Sequence, residues 1–308
     1  SSNATSLKQG IVGKIAGYLN LPFIRFLSQI INLLRLAISR QKDFRPEYFV
    51  VFSCLEKKWV GTPAIWVAKY MKAFYNIPWI CIVGDGVAPD GADKYVYQNW
   101  KYFCESSKSL SCLHLDGGIA DLPSNQNRYL EESQKKIFIY MGALTEHGGS
   151  LELAKAFIDL REKDIELWFF GRGENIELVT LSNLDRRIKL KGFVSNEDLN
   201  KAAAKALAFV DPRPLSFAPN KLNFPSKLLH YLAYGKPVIS TFSEGVSPDY
   251  DKILEIVKDD TQDSLTIAMQ NIIDLPPESY KEICIKVDQF NATHTWDHQV
   301  SRFLNWIT

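Results

Sequence analysis

From Ile137 to Thr241, short apolar runs rich in β-branched and aromatic residues alternate with helix-like runs. This predicts a doubly wound α/β domain, a parallel sheet with helices on both faces. Length sets the number of domains. At about 150 residues per domain, 308 residues make two, and the polar stretch 121–136 reads as the linker between them. The boundary is placed near residue 134, giving domains of residues 1–133 and 134–294. A composition of 46% hydrophobic and 23% charged residues is that of a globular protein, which excludes disordered and collagen-like chains. No charge-free apolar run is long enough to write a transmembrane helix.

In chain order, Phe23, Ile24, Phe26, Leu27, Ile30, Ile31, Leu34 and Ile38 recur at helical spacing. Tyr48–Ser53 is a strand, and Thr62-Pro63 opens a helix with a cap residue and an N1 proline. Trp79–Val83 and Leu110–Leu115 repeat the strand signal, and the aromatic stretch Lys94–Phe103 is expected to be helical. Three strands are fewer than a nucleotide-binding domain normally holds. Beyond the linker, strands are expected at 137–141, 165–170, 188–190, 207–211 and 237–241. Helices are expected at 151–160, 174–181, 200–206 and 226–234.

Charge is segregated. Residues 1–42 hold six basic residues (Lys8, Lys14, Arg25, Arg35, Arg40 and Lys42) and no acid, although the whole chain carries only +1. A basic amphipathic helix fits two environments, an anionic membrane surface touched through residues 8–42, or a core whose apolar face is covered by other elements. Five cysteines without C-x-x-C spacing indicate neither a zinc site nor a disulfide framework, so no metal is expected and a reducing cytoplasm is the default. No Lys/Arg stripe interleaved with aromatics supports nucleic-acid binding.

Doubly wound sheets bind ligands at the carboxyl ends of their strands, which singles out the loops after 141, 170, 190 and 211. Gly142-Ala-Leu-Thr-Glu-His-Gly-Gly-Ser150 lies between a strand and a helix, where small residues let a phosphate approach the backbone. Gly171-Arg-Gly-Glu174 has the same placement, but position 176 is Ile, so a dinucleotide fingerprint is incomplete. The most informative segment runs from Asp211-Pro-Arg-Pro214 to Phe224-Pro-Ser-Lys227 and on to Thr241. Ser226 is expected to cap a helix ended by Gly235, leaving the N–H groups of Lys227, Leu228 and Leu229 free for a diphosphate. Lys227 adds a mobile charge there, and Arg213 can fork two phosphate oxygens. The competing reading is an amphipathic helix with a solvated Lys and an Arg in a surface turn.

These residues resemble the carboxyl-terminal domain of the family-4 glycosyltransferases of GT-B fold, over roughly residues 134–294. The resemblance rests on Tyr140-Met-Gly-Ala-Leu144, Leu167-Trp-Phe-Phe-Gly-Arg-Gly-Glu174, Ile188-Lys-Leu-Lys-Gly-Phe-Val194, Val210-Asp-Pro-Arg213 and Phe224-Pro-Ser-Lys227 through Gly235-Lys-Pro-Val238. Pro-Arg combined with Phe-Pro-Ser-Lys is similar to the bacterial exopolysaccharide and capsule branch. Residues 295–308 resemble the family's final helix, which crosses back onto the first domain. The resemblance implies two Rossmann-like domains facing a cleft, the first of them truncated here. It also implies transfer, with retention and without metal or other cofactor, from a UDP- or GDP-sugar to a glycan or lipid-linked acceptor. Arg213 and Lys227 are then the catalytic cations that stabilise the leaving diphosphate. Gly142 and Ala143 would border the phosphates, with Gly171 and Arg172 beside them. Gly192, Phe193 and Val194 would contact the base, and Ser226, Lys227 and Leu228 the diphosphate. The implied location is the cytoplasm, at the inner face of the bacterial plasma membrane.

Departures from the family pattern define the alternative. Leu222 and His230 stand where many members have glutamates, so His230 must meet the ribose without a carboxylate. Ala143 and Gly148 stand where many members have Arg and Lys. A noncatalytic nucleotide-sugar-binding or scaffold protein of the same fold is therefore the second expectation. An epimerase acting on the nucleotide sugar is a third, which lacks the carboxylates for its proton transfers.

Overall fold

The structure, a computed structural model, describes residues 22–40, 46–53, 62–107, 111–120 and 136–308. Lys8, Lys14, Lys42, Cys54, the boundary near 134 and nearly all of the expected linker lie outside these residues. The described residues group into two compact units: those up to 98 together with 102–114, and 99–101 together with 115–308.

The chain opens with α1 (Pro22–Arg40), β1 (Phe49–Ser53), α2 (Pro63–Tyr75), β2 (Trp79–Val83), β3 (Lys94–Tyr97), α3 (Trp100–Ser106) and β4 (Cys112–His114). The strands pair in parallel in the order β1-β2-β3-β4, with Val51 opposite Cys81 and Cys81 opposite Tyr95. Val51, Trp79, Cys81, Val83, Tyr95 and Tyr97 are buried against Ile65 and Ala68 of α2. Thr62 has the extended cap conformation without a side-chain cap bond, and Pro63 occupies the first turn, where its missing N–H matters least.

The helix expected over 94–103 is divided. Lys94–Tyr97 is a strand, and the helix starts only at Trp100. Pairing with β2 decides this: Asp93 accepts the Trp79 N–H at 2.9 Å, and Tyr95–Tyr97 then run in register beside Cys81–Val83. Four strands, not three, result. One of the two environments considered for the basic helix, a core covered by other elements, holds for part of α1. Ile30, Leu34 and Ala37 pack on the cluster of Val67, Met71 and Ile77, whereas Leu27, Ile31, Leu36 and Ile38 are exposed.

The remaining elements are β5 (Lys136–Met141), α4 (Ser150–Ile158), β6 (Ile165–Phe170), α5 (Ile176–Leu184), β7 (Ile188–Gly192), α6 (Asn196–Ala204), β8 (Ala206–Asp211), α7 (Ala218–Leu222), α8 (Lys227–Leu232), β9 (Val238–Thr241), β10 (Leu254–Val257), α9 (Gln262–Ile273), α10 (Pro277–Thr293) and α11 (Trp296–Ile307). All six strands are parallel, in the order β10-β9-β8-β5-β6-β7. The strand β10, absent from the expectations above, is four residues long with a glutamate inside it, too short for periodicity to show.

The period of two along each strand builds two cores. Phe138 and Tyr140 of β5 join Leu167, Phe169 and Val210 under α4 and α9. Ile137, Ile139 and Met141 face the other way, with Phe209, toward α6 and α8. Strands buried on both faces read as continuous apolar runs, which is why this half was legible. Strand order matters for function. Successive strands β5, β6 and β7 run to one side, and β8, β9 and β10 to the other. The order reverses between β5 and β8, and at such a switch point the loops leaving the two strands diverge and open a crevice at their carboxyl ends.

Candidate functional site at the switch point of the six-stranded sheet

Two loops frame the crevice. After β5, Gly142 takes φ 150° and donates its N–H to Phe170 at 2.8 Å, and the Leu144 N–H bonds to Arg172 O at 2.8 Å. Gly171, at φ 147°, donates to Gly192 O at 2.9 Å. The loops after β5, β6 and β7 are thus stitched together so closely that a Cβ on Gly171 would lie 1.8 Å from Gly142 O. They surround a pocket of about 390 Å³ lined by Gly142, Ala143, Gly171, Arg172, Gly192, Phe193 and Val194. The Arg172 guanidinium lies 4.6 Å from the Phe193 ring centre, and Phe193 is 76% exposed. An exposed aromatic face next to backbone polar groups suits a flat heteroaromatic ring.

The second loop follows β8 and carries Arg213. Thr241 Oγ1 donates to Arg213 O at 2.8 Å, and Asp260 accepts the N–H groups of Leu215 and Ser216. Asn220 Nδ2 donates to His147 O and Pro214 O, and the His147 ring stacks on Phe217 at 4.1 Å. A Cβ on Gly149, at φ 69°, would meet Pro212 O at 2.1 Å, so the two loops lock against each other.

Between them sits a charged cluster. Asp211, the last residue of β8, is fully buried, with Arg213 Nε at 3.6 Å and Lys227 Nζ at 3.9 Å from its carboxylate. Lys227 Nζ also donates to Tyr140 Oη at 3.3 Å and lies 4.6 Å from the centre of that ring. The Tyr140 hydroxyl in turn donates to Ala143 O at 2.7 Å. Tyr231 Oη donates to Met141 O and accepts the Met141 N–H, both at 2.9 Å, which fixes α8 to the end of β5. Burial raises the Asp211 carboxyl against the pull of Lys227 and Arg213. Burial lowers the Lys227 ammonium, which Asp211 opposes and Arg213 reinforces. The Tyr140 hydroxyl is raised, by burial and then by the Asp211 charge, and so stays a donor.

Some sequence expectations need correction. Ser226 has helical torsions and makes no side-chain cap bond, because the preceding Pro225 already turns the chain: its carbonyl accepts the Leu228 N–H at 2.8 Å. That N–H is therefore occupied, and the side chain of Leu228 is core. The helix ends earlier than expected, at Leu232 with Ala233 as its cap, and Gly235, at φ 66°, closes the following turn with its N–H on Leu232 O at 2.8 Å. Arg213 and Lys227 both lie at ion-pair distance from Asp211. His230 is exposed. Burial of part of its ring lowers its basicity, and its Nε2 lies 3.5 Å from Tyr234 Oη. Sequence reasoning missed Asp211, Tyr140 and Asp260. For Asp211 the signal was a lone charge closing the apolar run Ala206–Val210. Asp260 gave none, since its role depends on a contact 44 residues away.

Gly148 stands where the resemblance noted above expects a cation. A Cβ there would lie 2.3 Å from Tyr140 Oη, so the place of a cationic side chain is taken by the tyrosine hydroxyl that also meets Lys227. Among the described residues, no group of three His, Cys, Asp or Glu stands close enough to hold a metal ion.

Residues 135–274 match the family described as "Glycosyl transferases group 1". No curated protein matches the sequence. Among solved structures, the chain is similar to the lipopolysaccharide outer core galactosyltransferase WaaB in its apo form (TM-score 0.66, 14% identity, 93% of this chain and 81% of that one). It is also similar to a glycosyltransferase from Rickettsia africae (TM-score 0.63, 13% identity, 93% and 81%). A third is Anabaena Alr3699/HepE in complex with UDP and glucose (TM-score 0.60, 12% identity, 90% and 80%). At these identities the likeness is one of fold. Residues 135–274 are thus a group 1 glycosyltransferase domain, in a chain whose two parallel α/β units share the fold of these structures.

Proposed function

We propose that the chain transfers a sugar, with retention and without a metal, from a UDP- or GDP-sugar to a glycan or lipid-linked acceptor, in the manner of the family-4 exopolysaccharide branch. One observation carries this reading. Two cations, Arg213 and Lys227, share one buried counter-ion at the switch point of a parallel sheet, beside a pocket shaped for a flat ring. As the bond from the sugar to its diphosphate breaks, negative charge gathers on the leaving oxygen. Preorganised cations stabilise that charge without reorganising. In this reading Gly192, Phe193 and Val194 hold the base and Arg172 caps Phe193. His230, neutral because its basicity is lowered, exchanges a hydrogen bond with the ribose. Gly142, Ala143 and the Ser226 and Lys227 amides border the phosphates. The UDP held by the Anabaena neighbour supports the choice of a uridine nucleotide as first probe.

A noncatalytic nucleotide-sugar-binding role is the second reading, favoured by the filled space at Gly148, which leaves no room for a further cation. Thermal unfolding with UDP, GDP and ADP, followed by a transfer assay with the matching donor sugars, separates the two. Stabilisation by one diphosphate together with glycoside formation establishes the transferase, and stabilisation without product establishes the binder. No stabilisation by any of them would refute both.

We also propose that residues 8–42 touch the anionic inner face of a bacterial plasma membrane. Exposed Leu27, Ile31, Leu36 and Ile38 of α1 support this, together with the acid-free sequence around them. Among the described residues no helix is long and apolar enough to cross a membrane. Sedimentation with anionic vesicles tests the idea, and binding indifferent to salt would contradict it.

A further inference from the structure

Among the described residues, the carboxylate of Asp211 is fully buried at the end of β8, with two cations beside it. Its side chain is 1% exposed, and among the described residues neither oxygen has a hydrogen-bond partner. Arg213 at 3.6 Å and Lys227 at 3.9 Å are its ion-pair neighbours, both beyond hydrogen-bond distance. Burying a carboxylate this way is unfavourable, and a buried ion pair is poor evidence of stability on its own. A fold that needed only to close this end of β8 would do better with a neutral side chain.

Geometry shows what the carboxylate does instead. Arg213 and Lys227 come from different elements, the loop after β8 and the start of α8. Their like charges repel, and Asp211 lies against both. Held by Asp211 at ion-pair rather than hydrogen-bond distance, neither cation spends a donor on it, and Lys227 gives one of its three to Tyr140. We propose that Asp211 is a positioning residue: a buried counter-ion that keeps Lys227 charged and Arg213 aimed into the crevice, so that both meet a diphosphate together. This rests on the diphosphate reading above and adds a residue to it. Asp211 touches no substrate in this scheme and acts through the two cations.

The groups facing Lys227 are Asp211 and Arg213 from β8 and its loop, and Tyr140 from β5. On its own helix, the Tyr231 hydroxyl is bonded to Met141. Of these, Asp211 alone favours the charged ammonium through its charge. The tyrosines stay protonated, and Arg213 opposes the ammonium. Without Asp211, Lys227 keeps its contacts with Tyr140, but burial and the repulsion of Arg213, both of which release its proton, act with no opposing charge.

The test uses the full chain labelled with ¹³C-lysine. The Lys227 Cε resonance is assigned by its absence in Lys227→Arg, then titrated in the wild type and in Asp211→Asn, with Asp211→Ser as a second neutral variant. UDP affinity is measured over the same pH range. Lys227 is expected to lose its proton at lower pH in the variants, by on the order of one pH unit or more. The alkaline fall in UDP affinity should move with it. An unchanged Lys227 titration in a folded variant would overturn the proposal whatever UDP does, and so would failure of both variants to fold, which would make Asp211 structural. A shifted titration in a protein that never binds UDP would uphold the counter-ion and sink the nucleotide reading.

Discussion

Removing the Lys227 ammonium separates binding from stability, because the proposed diphosphate contact and the observed ion pair with Asp211 give it a different weight in each. In Lys227→Ala a bound diphosphate loses one hydrogen bond to a charged donor, worth about 1.5–3 kcal/mol, or roughly 10- to 150-fold in affinity. For the folded state alone, Lys227 Nζ is 3.9 Å from the Asp211 carboxylate. Coulomb attraction at that distance runs from about 1 kcal/mol in a water-like medium to about 4 kcal/mol near a protein surface. The side chain is 30% exposed, and removing it also ends the repulsion of Arg213, so the net loss of stability should be near the lower figure, about 1 kcal/mol. The variant is thus expected to unfold nearly as the wild type does and to bind UDP at least about tenfold more weakly. Its binding should also depend less steeply on salt. Calorimetric titration with UDP at two salt concentrations, beside a urea unfolding curve, reads both quantities. Affinity within about threefold of wild type in the folded variant would refute the assignment of Lys227 to the phosphates.

Two other perturbations probe the frame that holds the site. Gly171→Ala places a methyl group 1.8 Å from a backbone oxygen at φ 147°, where neither side can yield. A loss of about 2–5 kcal/mol in urea unfolding is expected from overpacking and left-handed strain together, and a loss under about 1 kcal/mol would show that the loop after β5 gives way. Asp185→Asn tests an ion pair remote from the site: Asp185 meets Arg187 at 2.6 Å, and that guanidinium also bonds to Glu162 O and lies over the Phe157 ring. Arg187 holds the Asp185 carboxyl below its ordinary value. The stability this supplies is full above the ordinary value of about 3.9 and is lost as pH falls through the lowered folded value. Asp185→Asn should therefore cost about 1–2 kcal/mol at neutral pH, with the gap to wild type closing in acid, and a gap independent of pH in urea unfolding would contradict the pairing.

Elements buried on both faces were the easiest to read. β5, β6 and β8 stand out because nearly all their positions are buried and, Lys136, Glu166 and Asp211 apart, apolar, and the glycines after them stand out because nothing larger fits between interlocked loops. The strand Lys94–Tyr97 was missed because Lys-Tyr-Val-Tyr carries no pattern that separates strand from helix at four residues, and β2 supplies the deciding partner. Ser226 was misread for a related reason: the side chain is a good cap, but Pro225 turns the backbone first.

The sequence by itself determined the alternation of strands and helices, the loops at which a ligand would sit, and the two cations on them, since each of these is written within a few consecutive residues. Only the tertiary structure decided that β8 lies beside β5, which makes the Gly142 and Arg213 loops neighbours. With that came the fully buried Asp211 between Arg213 and Lys227, and the Tyr140 hydroxyl in the space a cation would need at Gly148. Local propensity acts over a turn or a strand. Adjacency in a parallel sheet, and the burial that gives one carboxylate its influence over two cations, arise from residues 70 to 90 positions apart and exist only once the chain has closed on itself.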